Sequence, residues 1–223
     1  GHGSTLLDLD NDGYLDIVMS GIRTLPYVFR NNGNMTFSRV CGGAGVTQVE
    51  GLTWATVGGD LNFDGYPELY ISHGLGRRPR ENELFLNVAN TDGGVENNWL
   101  TVEVQGVTHN PSALGAKVEV EGSDGMTRTR WVGAWANFDS QGPLPLTFGM
   151  GESAMAETVT VTFTNGQVQV LEDVAVNQQL VVVEESDRSD DDADGVPDEW
   201  DICPGTRLGR RTDGEGCAVG QRA

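Results

Sequence analysis

Apolar and polar residues alternate along most of the chain, and no stretch carries the three-to-four-residue spacing of an amphipathic helix. LTVEVQ (100–105), AKVEVEG (116–122), TVTVTFT (158–164), QVQVLE (167–172) and QLVVVEE (179–185) each put apolar side chains on one face. That pattern predicts half-buried antiparallel strands. SDG (123–125) and TNG (164–166) fall between such runs and predict hairpin turns. Residues 99–185 are therefore expected to form a small β-sandwich or barrel.

The amino-terminal part repeats itself. LLDLDNDGYLDIVMSG (6–21) returns as VGGDLNFDGYPELYISHG (57–74), with Asp8 and Asp60 52 residues apart. YVFRNNGNMTF (27–37) is echoed by ELFLNVANTDG (83–93). A period near 50 in an all-β pattern predicts propeller blades or a solenoid over residues 1–98. Residues 186–223 hold few large apolar side chains. Such a tail cannot bury a core, so it is either disordered or held by metal and disulfide. The expected fold class is all-β: partial propeller blades, a small sandwich or barrel, and an irregular tail.

Charge narrows the partners. The chain has 33 acidic residues against 14 lysines and arginines, a formal net charge of -19. Nucleic acid and anionic membrane surfaces call for the opposite balance. The acids are clustered and regularly spaced, which favours divalent cations. No apolar run approaches the roughly 18 residues that span a bilayer. The first residue is glycine and no signal peptide is visible, so the chain reads as a processed or excised piece of a longer product.

Three acidic stretches share one spacing. A loop with side-chain oxygens at positions 1, 3 and 5, glycine at 6, a backbone carbonyl at 7 and an acid at 9 wraps one side of a calcium ion. The first stretch offers Asp8, Asp10, Asp12, the carbonyl of Tyr14, and Asp16; the second offers Asp60, Asn62, Asp64, the carbonyl of Tyr66, and Glu68. The third offers Asp190, Asp192, Asp194, the carbonyl of Val196, and Asp198. A helical calcium switch needs an acid at position 12, where the first two loops have Met19 and Ile71. Strand-like runs follow both, so these are loops between strands. The third has Asp201 at position 12, with CPGT directly behind it. The competing readings are solvated acidic turns without metal and a catalytic carboxylate pair. Nothing in the sequence sets one acid apart from its neighbours, as a catalytic pair requires.

Other features carry less. His2, His73 and His109 are scattered, with no His-x-x-His pair. GGAG (42–45) lacks the strand and helix of a phosphate loop. Trp131 and Trp135 read as core, with a sugar-stacking platform as the alternative. GRRPR (76–80) is a basic spot expected in a solvated loop. NMT (34–36) is a glycosylation sequon by pattern. Cys41 reads as a buried thiol, with an interchain disulfide as the alternative.

Three resemblances follow from these residues. Through DLDNDGYLDIVMSG, RNNGNMTF, GDLNFDGYPELYISHG and ENELFLN, residues 1–98 resemble the FG-GAP/VCBS repeats of integrin-type propellers. That resemblance implies a calcium loop between the first two strands of each blade. It also implies further blades, from the same product or from other chains. Through NNWLTVEVQG, SALGAKVEVEG and LTFGMGESAMAETVTVTFTNGQVQVLEDV, residues 98–185 resemble the ASPIC/UnbV domain, which implies architecture and no defined activity. DDDADGVPDEWDICPGT with DGEGC resembles a thrombospondin type 3 repeat. This implies a calcium-wrapped tail closed by a Cys203–Cys217 disulfide, the alternative being two free thiols. The expected function is a secreted or cell-surface, non-enzymatic calcium-binding protein of adhesion or structure, with about three ions. The alternatives are a glycan- or ligand-binding module and a subunit of an extracellular filament.

Overall fold

The computed structural model describes residues 3–21, 24–40, 53–74, 81–89, 96–107, 110–134, 136–137, 140–185 and Cys203. Among them there is no helix. The acids of the third loop (Asp190, Asp192, Asp194, Asp198, Asp201), Val196, Cys217, Cys41, Trp135, His2, His109, GGAG and GRRPR lie outside the described residues. No helix among the described residues is long and apolar enough to cross a membrane.

The chain divides into two compact units. The first holds residues 1–106 and 112–183, the second residues 107–111 and 184–223. In the second, the Val107 amide donates to Glu184 Oε2 at 2.6 Å, and Cys203 is disulfide-bonded.

The first unit starts with two blade-like meanders. Strands β1 (Gly3–Leu7), β2 (Asp16–Gly21), β3 (Thr24–Asn31) and β4 (Phe37–Val40) pair in chain order, every neighbour antiparallel. Strands β5 (Thr53–Gly59), β6 (Glu68–His73) and β7 (Glu83–Phe85) repeat the first three. Val18, Val28, Leu69 and Ile71 form one shared core, with Leu7, Leu9, Val40 and Phe85 packed around it. Each meander alone offers a single apolar face, so the two must bury against each other. The sequon residue Asn34 stands exposed in the β3–β4 turn.

The rest of the unit consists of strands β8 (Asn98–Gln105), β9 (Lys117–Gly122), β10 (Thr127–Trp131), β11 (Ala136–Asn137), β12 (Ser140–Gln141), β13 (Leu146–Gly151), β14 (Met155–Thr162), β15 (Val168–Ala175) and β16 (Gln178–Val183). One sheet runs β10-β9-β14-β15 and another β13-β8-β16, with β11 and β12 as a separate pair. The inner faces of the two larger sheets share one core, centred on Leu100, Val102, Val118, Val120, Phe148, Val159 and Val161. The SDG and TNG segments make the expected hairpin turns, β9 to β10 and β14 to β15.

Two expectations are corrected. β16 pairs with β8 in parallel, from Gln178↔Leu100 to Val183↔Gln105. Only residues 176–177 separate it from β15, and there the chain passes to the opposite sheet instead of closing a hairpin. Trp131 is not core: it is 48% exposed. On β10 the arginines take the inner positions instead, with both Arg128 and Arg130 buried. Arg128 Nη2 meets Asp124 Oδ2 at 2.7 Å, and the Arg130 guanidinium lies 5.3 Å from the Phe148 ring centre.

The Arg128 hydrogen bond and charge hold the Asp124 carboxyl below its ordinary value of 3.8. A depressed acid contributes stability above its unfolded value and loses it as the pH falls through the folded one. Asp124→Asn is therefore expected to flatten the fall in melting temperature below pH ~4. Melts across that range, parent against variant, are the check; parallel curves would exclude the contribution.

Candidate metal centre

The two acidic stretches form equivalent loops, one between β1 and β2, the other between β5 and β6. Gly13 and Gly65 sit at φ +93° and +86°, in the region where a side chain is strained. Each turns its amide back on the first acid: Gly13 N to Asp8 Oδ2 and Gly65 N to Asp60 Oδ2, both 2.9 Å. The Tyr14 amide donates to Asp12 Oδ1 and the Tyr66 amide to Asp64 Oδ1, again at 2.9 Å each. The acid at position 9 closes the loop. Asp16 Oδ2 accepts from Leu9 N at 3.1 Å, and Glu68 Oε2 accepts from Leu61 N at 2.8 Å.

An asparagine from the following strand or its end clamps each loop. Asn31 Nδ2 donates to the Leu15 carbonyl at 3.1 Å, and Asn87 Nδ2 to the Pro67 carbonyl at 3.2 Å. Neither asparagine belongs to the ligand pattern, yet both stand at matching places in the RNN and LNV echoes. Other ties run between repeats: Asn11 Nδ2 to the Gly65 carbonyl (3.0 Å), Asn87 Nδ2 to the Leu9 carbonyl (2.8 Å) and Asn97 Nδ2 to the Asp10 carbonyl (2.8 Å).

The loops differ in what they leave open. Oxygens of Asp8, Asp10 and Asp12 all lie within 4.8 Å of one another. Asp8 is 5% exposed, and its Oδ1 and the Oδ1 of Asp10 are buried with no hydrogen-bond partner. Burial first, then the Asp12 charge, pushes the Asp8 carboxyl up to about 8. Burial and Asp12 likewise raise Asp10. Burial lifts Asp16 to about 6, but both its oxygens take backbone amides, from Leu9 and from Asn31 (2.8 Å), so it braces the loop. In the second loop the two Asp60 oxygens take the amides of Asp64 and Gly65. Asn62 Nδ2 donates to Asp64 Oδ2 at 3.0 Å. Glu68 Oε1 is the buried oxygen without a partner there.

Buried carboxylate oxygens this close together without donors are relieved either by a proton, as the raised Asp8 and Asp10 carboxyls indicate, or by a cation. The first loop fits a hard divalent ion: its acids lie close together, two of their oxygens have no partner, and the backbone beneath them is braced. The second fits it less fully, since asparagine replaces one acid and most oxygens are occupied.

The chain supplies cations of its own around the first loop. Arg30 Nη2 lies 2.6 Å from Asp10 Oδ2 and 3.4 Å from Asp12 Oδ2. Arg130 acts on Asp8 electrostatically, and its own pKa is brought down to about 10 by burial. The loop also seats against the sandwich, where the Gly151 amide donates to the Asn11 carbonyl at 2.9 Å. No sequence signal pointed to Arg30, Arg130 or Gly151, because each reaches the loop only through the fold.

Two family models match this chain. Residues 8–71 match an FG-GAP-like repeat. Residues 106–189 match the family described as ASPIC and UnbV. The thrombospondin type 3 resemblance of residues 190–217 lies wholly beyond both matched segments. No curated protein matches the chain. The FG-GAP-like segment contains both acidic loops, and the ASPIC and UnbV segment contains most of the sandwich.

Proposed function

We propose that the chain is a non-enzymatic calcium-binding module of a secreted or cell-surface protein, serving adhesion or assembly. Calcium would act as a staple: it offsets the repulsion among loop acids and fixes the turns between strands. The observation that carries this is the pair of buried, unpartnered oxygens of Asp8 and Asp10 beside Asp12. The first loop would hold one ion through Asp8, Asp10 and Asp12, with the Tyr14 carbonyl and Asp16 completing it. The second would hold another through Asp60, Asn62, Asp64, Tyr66 and Glu68. A third would sit in the tail, on Asp190, Asp192, Asp194, Val196, Asp198 and Asp201, next to a Cys203–Cys217 bond. Its partners would be further blades or other protein chains. Calorimetric titration with calcium, joined to melting in calcium and in chelator, tests the reading. Heat of binding and a higher melting temperature are expected; identical melts would overturn it.

A second reading has its own observation. A cleft of about 460 Å³ is lined by Leu6, Asp60, Thr129, Trp131, Pro143 and Pro145, among others. Its volume suits a small ligand. A half-exposed indole beside a carboxylate and hydroxyls suits a sugar ring. Glycan-array binding in calcium that is lost in Trp131→Ala is the expected result; an array with no hits removes this reading.

A further inference from the structure

Arg30 ends β3 beside Asn31, whose amide donates to Asp16 and whose side chain donates to the Leu15 carbonyl. The Arg30 backbone is thereby held against the first loop, while its side chain remains 52% exposed. In the second repeat Asn87 repeats the Asn31 clamp, so the place of Arg30 falls to Leu86, an uncharged residue.

We propose that Arg30 is a tethered competitor for the cation of the first loop: it lowers calcium affinity there and supplies counter-charge when calcium is scarce. This rests on the calcium reading above. The guanidinium addresses the Oδ2 atoms of Asp10 and Asp12, two of the three acids a divalent ion would use. An entering ion either displaces it, losing two charge-assisted contacts, or keeps a like charge a few ångströms away. Both outcomes weaken binding. Without the ion the same contacts relieve part of the repulsion among Asp8, Asp10 and Asp12, and the loop keeps its shape. The second loop has one acid fewer at the matching position, Asn62 for Asp10, and carries the uncharged Leu86 where the first has Arg30.

The test uses the whole chain and the amide signals of Gly13 and Gly65, equivalent reporters in the two loops, followed by NMR during a calcium titration. Arg30→Leu, which imports the residue of the second repeat, is expected to move the Gly13 midpoint to ~10-fold lower calcium. It should leave the Gly65 midpoint in place. Arg30→Lys keeps the charge and is expected to stay within about threefold of the parent. In chelator, Arg30→Leu is expected to melt below the parent. A Gly13 midpoint unmoved by Arg30→Leu, or moved to higher calcium, overturns the proposal while leaving calcium binding intact. If neither glycine responds up to about 10 mM calcium, beyond the weakest extracellular sites, the calcium reading falls and this one with it.

Discussion

Gly149→Ala is expected to melt about 6–12 °C below the parent chain, the equivalent of ~3 kcal/mol of overpacking in a domain of this size. A methyl group at position 149 would lie 2.5 Å from Asn11 Cα and 2.6 Å from its carbonyl carbon, and closer still to the Asp8 carboxylate. These neighbours cannot yield. Asn11 is fully buried with φ +55°. Its carbonyl accepts from the Gly151 amide and its side chain donates to Gly65. The backbone of β13 is therefore the surface on which the first loop rests, and any side chain there lifts the loop off the sandwich. Gly125→Ala is the control. Its site has open space within 4 Å but a φ of +74°, so it should cost only the strain of that conformation, ~1 kcal/mol. Equal losses in the two variants would mean that the close approach at Gly149 contributes nothing.

Local spacing made the loops legible. The Asp8 and Asp60 stretches announce a turn through Gly13 and Gly65, and their echo revealed the repeated meander. Alternation placed Val118, Val120, Val159 and Val161 inside, as they are. The same reasoning failed on β10. In TRTRW it favours the tryptophan for the core, yet Arg128 and Arg130 point inward and Trp131 outward. The arginines gain Asp124, the Phe148 ring and the Asp8 charge, none of which is near them in the ordinary alternation pattern except Asp124. β13, LTFGMG, was legible only as part of a quoted family motif. Its Phe148 and Met150 alternate with Gly149, whose value lies in the loop it admits. Arg30 was invisible for a similar reason: it is an ordinary polar residue at a strand end until β2 and β3 pair and carry it to Asp10.

Asp8→Asn is expected to reverse its effect with calcium, the second large outcome. Under the calcium reading, one site at ~100-fold excess over its dissociation constant adds ~2.7 kcal/mol, or about 5–11 °C. Losing the Asp8 charge removes most of that share, so the variant should melt well below the parent in calcium. In chelator the order inverts. The parent must then either hold a proton on Asp8, whose carboxyl is pushed up to about 8, or bury a carboxylate whose Oδ1 has no donor next to two further acids. Asparagine keeps an oxygen for the Gly13 amide, removes the repulsion and offers an N–H to Asp10 or Asp12. The variant should therefore melt at or above the parent without calcium. The crossing of the two curves separates a metal staple from a plain structural role, because a residue needed only for packing would be missed equally under both conditions. A variant that melts below the parent by the same margin in calcium and in chelator would identify Asp8 as a brace for the Gly13 turn rather than a cation ligand.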